Sequence, residues 1–281
     1  MDDPGSEGVG RFSAAVGRAR LSCLRRGRGG SVPAVFLHSG VTDQRSWTGV
    51  LERLAPPLDA VTYDRRGFGA TVCEPEAHDQ VVDLAAVLDG SGFEQVMLVG
   101  NSQGGRIALD FALSRPERVS ALVLVAPAVS GAPSVSDADV TGAEAALWKE
   151  LEAAEAAGDL HALNEGELRL WLDGPAAPEG RVGGATRALA YDMNRLALAA
   201  PSPGFEPNAV DAWSRLEEIA CPTVVVVGDL DMSHFQARCP ELAARIPGAS
   251  LEVMAGVAHL PALEAPDDFA DLLRRFLAAS S

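Results

Sequence analysis

Six short apolar runs punctuate the chain: Ala34–Leu37, Ala60–Tyr63, Val96–Val99, Ala121–Val125, Val224–Val227 and Leu251–Met254. Most are continuously apolar and rich in β-branched residues, the pattern of parallel strands buried on both faces. Only Leu251-Glu252-Val253-Met254 alternates, which suits an edge strand. Between the runs lie stretches with helical periodicity. Asp79 to Leu88 gathers Val81, Val82, Leu84, Ala85 and Leu88 on one face. Gly104 to Leu113 does the same with Ile107, Ala108, Phe111 and Ala112, and Asp267 to Leu277 with Phe269, Leu272, Leu273 and Phe276. Strands alternating with helices predict an α/β fold, a mostly parallel sheet covered by helices on both faces. Ala14 to Leu24 adds one or two antiparallel strands ending at the Gly27-Arg28-Gly29-Gly30 turn, and residues 1–10 read as a loose tail.

The alternation breaks between residues 133 and 204, where no strand signal appears. Thr141-Gly142-Ala143-Glu144 has capping-box spacing, and Gly158 closes the helix that follows. Leu160 to Leu172 and Ala185 to Leu198 read as two further helices. This division gives an α/β core of residues 11–132 and 205–281 carrying a helical cap at 133–204. The cap's apolar faces need a surface, and the open C-terminal edge of the sheet offers one. Val41, Leu147, Trp148, Trp171 and Met193 are the candidates for a substrate pocket beneath it.

Charge and composition narrow the partners. The 281 residues are 47% hydrophobic, enough for a sizeable core. With 23 basic against 39 acidic residues the net charge is −16, a field that repels nucleic acid and anionic membranes. The longest apolar run, Ala121 to Val129, contains Pro127 and is too short for a span of ~20 residues. The chain opens Met-Asp-Asp, acidic where a secretory signal is basic, so the expected setting is cytoplasmic. Cys23, Cys73, Cys221 and Cys239 form no C-x-x-C pair and read as reduced thiols. There is no H-E-x-x-H, no Cys/His cluster and no phosphate-binding glycine loop, so neither metal nor cofactor is expected.

The chemistry concentrates in Val99-Gly100-Asn101-Ser102-Gln103-Gly104-Gly105, a G-x-S-x-G directly after an apolar strand and directly before a helix. Such a turn lifts a serine hydroxyl above the sheet edge, exposed and clear of the core. It aims the Gln103 N–H and the helix N-terminus at a developing oxyanion. Side chains at 100 or 104 would collide with neighbouring backbone. The serine needs a base. His259, beyond the last strand, lies where a base must be, and His234, after another strand, is its rival. His38 ends the first core strand and reads as a structural or oxyanion-loop residue. His78 is expected to be exposed before a helix, and His161 to be solvated in the cap. The base needs an acid, and either Asp229 or Asp231 after the Val224–Val227 strand can serve.

From residue 11 onward, apart from the cap, the chain resembles the α/β-hydrolase superfamily. The resemblance rests on His38-Ser39-Gly40-Val41, Asp64-Arg65-Arg66-Gly67-Phe68-Gly69, the Ser102 motif, Gly228-Asp229-Leu230-Asp231, and His259 with Pro261, Glu264 and Pro266. It implies an α/β-hydrolase fold, selects Asp231 over Asp229 as the acid, and selects Gly40 beside Gln103 as oxyanion donor. Ser39 departs from the usual His-Gly pair. The general pattern is most similar to 3-oxoadipate enol-lactonases and small carboxylesterases, and Ser102 argues against the aspartate-dependent dehalogenases and epoxide hydrolases. The implied activity is that of a serine hydrolase acting on a small-molecule ester or lactone. Thioesterase, carbon–carbon hydrolase and non-catalytic binding protein are the alternatives. Within that frame the Asp64-Arg65-Arg66-Gly67 turn reads as scaffold. Nothing in the pattern specifies an oligomeric state.

Overall fold

Side chains along the central strands alternate between two apolar layers. Val35, Leu37, Val61, Leu98, Leu122, Leu124, Val225 and Val227 face one layer. Ala34, Phe36, Ala60, Met97, Val99, Val123, Val224 and Val226 face the other. The computed structural model describes residues 9–27, 33–54, 58–135, 140–206 and 210–279. Its strands are β1 (Val9–Val16), β2 (Ala19–Arg26), β3 (Pro33–Leu37), β4 (Asp59–Tyr63), β5 (Val72–Cys73), β6 (Glu76–Ala77), β7 (Val96–Asn101), β8 (Val119–Val125), β9 (Gly204–Phe205), β10 (Thr223–Gly228) and β11 (Ser250–Met254). The main sheet runs β1-β2-β4-β3-β7-β8-β10-β11, with β5 on β2, while β6 pairs β9 alone. From β4 to β11 every neighbour is parallel. The β1–β2 hairpin joins antiparallel, and β11 closes the sheet as its edge, as its alternation predicts.

The helices are α1 (Thr48–Arg53), α2 (Gln80–Ser91), α3 (Gln103–Ser114), α4 (Gly142–Ala157), α5 (Leu160–Leu168), α6 (Gly184–Ala199), α7 (Ser233–Arg245), α8 (Pro261–Glu264) and α9 (Pro266–Ala279). Leu84 and Leu88 of α2, Ile107 and Phe111 of α3, and Phe235 and Leu242 of α7 fill the first layer. Val50 of α1 and Phe269 and Leu273 of α9 fill the second, where Trp47 packs between Phe36 and Phe269. Both faces of the sheet are thus covered, as the strand–helix alternation requires.

Three boundaries differ from expectation. Val9 and Gly10 pair with Arg26 and Arg25, so they belong to the sheet; residues 1–8 lie outside the described residues, as does most of the Gly27–Gly30 turn. The α-helix expected over Leu160–Leu172 stops at Leu168, and Arg169–Asp173 widens into a π-turn ending at Gly174. The last residue of the expected strand-free stretch, Gly204, enters the short β9. The Thr141–Glu144 capping box and the left-handed Gly158 are both formed. All four cysteines are free. Among the described residues no helix is long and apolar enough to cross a membrane.

Candidate active site

Ser102 follows the last residue of β7 and directly precedes α3, with φ +55°, a left-handed conformation that few non-glycine residues adopt. Its neighbours explain why it holds. A Cβ on Gly100 would overlap the Gly104 carbonyl, and one on Gly104 would overlap the carbonyls of Leu37 and His38. The Ser102 N–H donates to Val125 at 2.8 Å, and its carbonyl accepts from Ala128 at 3.1 Å and Arg106 at 3.0 Å. The strained turn is therefore stitched to β8 and to its own helix. Contrary to the expected exposure, Ser102 is only 7% accessible.

His259 is buried, and its Nδ1 lies 3.0 and 2.9 Å from the two oxygens of Asp231. A carboxylate accepts only, so Nδ1 carries the proton and Nε2 presents its lone pair. Nε2 is buried with no hydrogen-bond partner, Ser102 included. Asp231 also accepts from the Met232 N–H at 2.7 Å. Asp229 points elsewhere, accepting from the Gly256 N–H at 2.7 Å. Between the two aspartates, the imidazole is therefore paired with Asp231.

Residues the sequence did not single out for a role fix the imidazole loop. Asn101 Nδ2 donates to the His259 carbonyl and to Val125, both at 3.1 Å, tying the loop to the serine turn. Glu264 accepts from the N–H groups of Ala258 at 2.7 Å and Leu260 at 2.8 Å, on either side of His259. Burial pushes the Glu264 carboxyl up, and Arg181 from the cap pairs with it. The cap supplies two more contacts: the Trp171 carbonyl accepts the His259 N–H at 3.2 Å, and Glu144 accepts from Ser233 N–H and Oγ at 2.6 and 2.7 Å, just past Asp231. The indole of Trp171 and the ring of Phe235 lie 4.7 and 4.6 Å from the imidazole. For Glu144 the capping box was the only signal; Asn101 and Arg181 left none that local pattern carries.

Gly40 sits beside Gln103, whose Cγ would be 3.5 Å from a Cβ there. Neither the Gly40 nor the Gln103 N–H is used by a loop or turn hydrogen bond among the described residues. Of the pocket candidates, Val41, Trp171 and Met193 meet in one apolar cluster with Leu168, Leu172, Leu260 and Leu263, between cap and site loops. Leu147 instead packs into the main core, and Trp148 is 38% exposed, edge-on to Trp171. His234 bonds to no carboxylate; it stacks on Phe235 and lines a separate cleft of about 610 Å³ with Thr141, Trp213 and Arg238. His78 is buried rather than exposed, its N–H held by the Phe205 carbonyl where β6 meets β9. His161 is exposed, with Nδ1 2.7 Å from the Tyr191 hydroxyl. No three His, Cys, Asp or Glu among the described residues are placed to hold a metal ion.

A profile of the Alpha/beta hydrolase family matches residues 34–272. The chain belongs to the alpha/beta hydrolase family. Like its relatives, this α/β hydrolase is an enzyme. It is 30% identical over 266 residues to a 2-hydroxymuconate semialdehyde hydrolase of Pseudomonas sp., covering 89% of this chain and 88% of that one. A pimeloyl-(acyl-carrier protein) methyl ester esterase of Aeromonas hydrophila is 27% identical over 271 residues, 92% of this chain and 99% of that one. Among solved structures, an N-acyl homoserine lactone degrading enzyme superposes with TM-score 0.72 at 27% identity, covering 94% of this chain and all of that one.

The packing at the turn generates a stability prediction. Gly104→Ala lowers the unfolding free energy by about 1–3 kcal/mol, because the Leu37 and His38 backbone must give way. Gly142→Ala, with nothing within 4 Å, leaves it unchanged. Urea denaturation of the two variants compares them directly.

Proposed function

We propose that this α/β hydrolase cleaves a carboxylic ester or lactone through an acyl-enzyme on Ser102. One observation carries the reading: a buried imidazole is held on both oxygens of Asp231 with its Nε2 unpartnered, and Asn101, the neighbour of Ser102, holds the carbonyl of that histidine. His259 Nε2 takes the Ser102 proton as Oγ attacks the carbonyl carbon. The Asp231 carboxylate stabilises the imidazolium so formed. The N–H groups of Gly40 and Gln103, free of loop partners, hold the oxyanion. His259 then gives its proton to the leaving oxygen, and water, deprotonated by the same nitrogen, releases the acid. The open Ser102–His259 hydrogen bond fits a resting site, since such contacts tighten when substrate binds. The ester and the lactone named for two relatives support this reading.

Ser102→Ala removes labelling by a fluorophosphonate probe and lowers kcat on p-nitrophenyl butyrate by at least about a thousandfold, without loss of folding. Near-normal turnover in that variant would end the acyl-enzyme reading. Asp231→Asn lowers kcat by about a thousandfold, because the amide no longer holds the imidazole tautomer. Asp229→Asn keeps an acceptor for Gly256 and leaves kcat within about threefold. The reverse order would assign the acid to Asp229.

The cap holds 12 acidic and 5 basic residues, a net −7. Arg187 is neutralised by Asp173 and Glu165, and Arg195 by Asp192, so neither supplies a free cation for an anionic substrate. A neutral ester is therefore turned over with higher kcat/KM than the matching CoA thioester. Added salt raises the thioester value by screening the repulsion. A thioester advantage at low salt that salt abolishes would reverse the conclusion.

A further inference from the structure

Two buried donors converge on one carbonyl oxygen, that of Ser39. His38 Nδ1 lies 2.7 Å from it and Arg65 Nη2 2.8 Å. His38 Nε2 accepts the Arg65 backbone N–H at 3.1 Å, so that nitrogen carries no proton and Nδ1 is the donor. Burial and the nearby Arg65 charge push His38 well below its ordinary pKa, which keeps the ring neutral.

Arg65 is unusual among the arginines here. Its neighbour Arg66 is neutralised by Asp83 and Glu76, which makes that half of the turn scaffold. Arg65 is just as deeply buried, yet no carboxylate among the described residues pairs with it, and its Nε has no hydrogen-bond partner. The guanidinium lies 4.4 Å from the ring centroid of Phe68, which is itself edge-on to His38. Burial lowers Arg65 to about 10, so it remains a cation at neutral pH. An uncompensated buried charge is destabilising, and a scaffold position gains nothing from it. Among the described residues its one polar side-chain contact is the Ser39 carbonyl.

That carbonyl belongs to the same peptide unit as the Gly40 N–H, and in a trans peptide the two point in opposite directions. We infer that Arg65 is a positioning residue for the oxyanion site: through the Ser39 carbonyl it fixes the peptide plane that aims the Gly40 N–H and polarises that N–H as a donor. Donation to one end of an amide strengthens the other end, by roughly 10–30% per bond. With His38 holding the same oxygen, the peptide cannot flip and present its carbonyl to the negative charge. This turns the Asp64-Arg65-Arg66-Gly67 motif from pure scaffold into a division of labour, Arg66 for the fold and Arg65 for the reaction. The inference rests on the acyl-enzyme reading above.

The test compares the wild type, Arg65→Met, Arg65→Lys and Ser102→Ala. It measures kcat and KM for p-nitrophenyl butyrate, inhibition by an alkyl boronic acid, and Tm. The boronate bonds to Ser102 Oγ and places a boron-bound oxygen where the oxyanion forms. Arg65→Met is expected to lower kcat by about 10- to 100-fold, less than loss of a direct donor, with KM within about threefold. Boronate affinity falls in parallel, and Arg65→Lys lies between the two, since the charge remains but the planar fork does not. Should Arg65→Met fail to fold, Arg65→Lys carries the same comparison alone. Folded Arg65 variants with wild-type boronate affinity would overturn the inference, as would a loss confined to KM. Ser102→Ala that still turns over would instead remove the underlying reading, and the two failures are thereby distinct.

Discussion

The carbonyls of Leu37 and His38 lie so close to Gly104 that one added methyl group would overlap them, and the rest of the site depends on that approach. It brings the end of β3 against the start of α3. The oxyanion loop after His38 and the helix carrying Gln103 therefore share one small volume. Gly100 and Gly105 face the same demand, the first against Gly104 and the second against Pro127. Ser102, enclosed by these contacts, has no room to relax from φ +55°. Its strain is thus held by packing on three sides rather than by any bond of its own side chain.

Around this rigid turn, polar side chains act on distant backbone. Glu264 grips the N–H groups flanking His259, Asn101 takes its carbonyl, and Trp171 in the cap accepts its N–H. Every backbone polar group of His259 is thereby satisfied in a buried place, where an orphaned one would cost about 1–3 kcal/mol. The imidazole then has only one way to face. Trp171, Arg181 and Glu144, all from the helical stretch between β8 and β9, make these contacts, so the packing of that stretch helps place the imidazole–carboxylate pair.

The six core strands were legible because each is a short apolar run with a strong local signal, and the alternation of β11 gave its edge position; the two-residue strands β5, β6 and β9 carry no such run. The serine turn was legible for a related reason: glycines at fixed spacing report backbone crowding directly. The choice between Asp229 and Asp231 was not legible from spacing alone, since both follow the strand and only the hydrogen bonds to Gly256 and His259 separate them. Arg65 read as scaffold for the same reason. Arg65 and Arg66 are adjacent and chemically identical, and only three-dimensional placement gives Asp83 and Glu76 to one and the Ser39 carbonyl to the other. The π-turn at Arg169–Asp173 escaped because its residues keep helical periodicity; within it the Trp171 carbonyl accepts the His259 N–H, a tertiary contact that local pattern does not carry.

Backbone strain in this chain gathers at one edge of the sheet. Among the described residues only Ser102 and Ala126 combine a side chain with positive φ. They follow adjacent strands, β7 and β8, and are joined through the Ser102 N–H on Val125 and the Ala128 N–H on the Ser102 carbonyl. Among the buried side-chain atoms without partners, His259 Nε2 and Arg65 Nε fall at this C-terminal end of the sheet, while Arg26 Nε and Ser120 Oγ lie at the other. Strain and unsatisfied polarity oppose folding, so the left-handed Ser102 and the unpartnered nitrogens of His259 and Arg65 need a cause outside stability. In the proposed reaction, a nitrogen kept ready for a proton and a cation kept ready behind an N–H donor supply that cause. Both would be quenched by the partners that folding alone would favour.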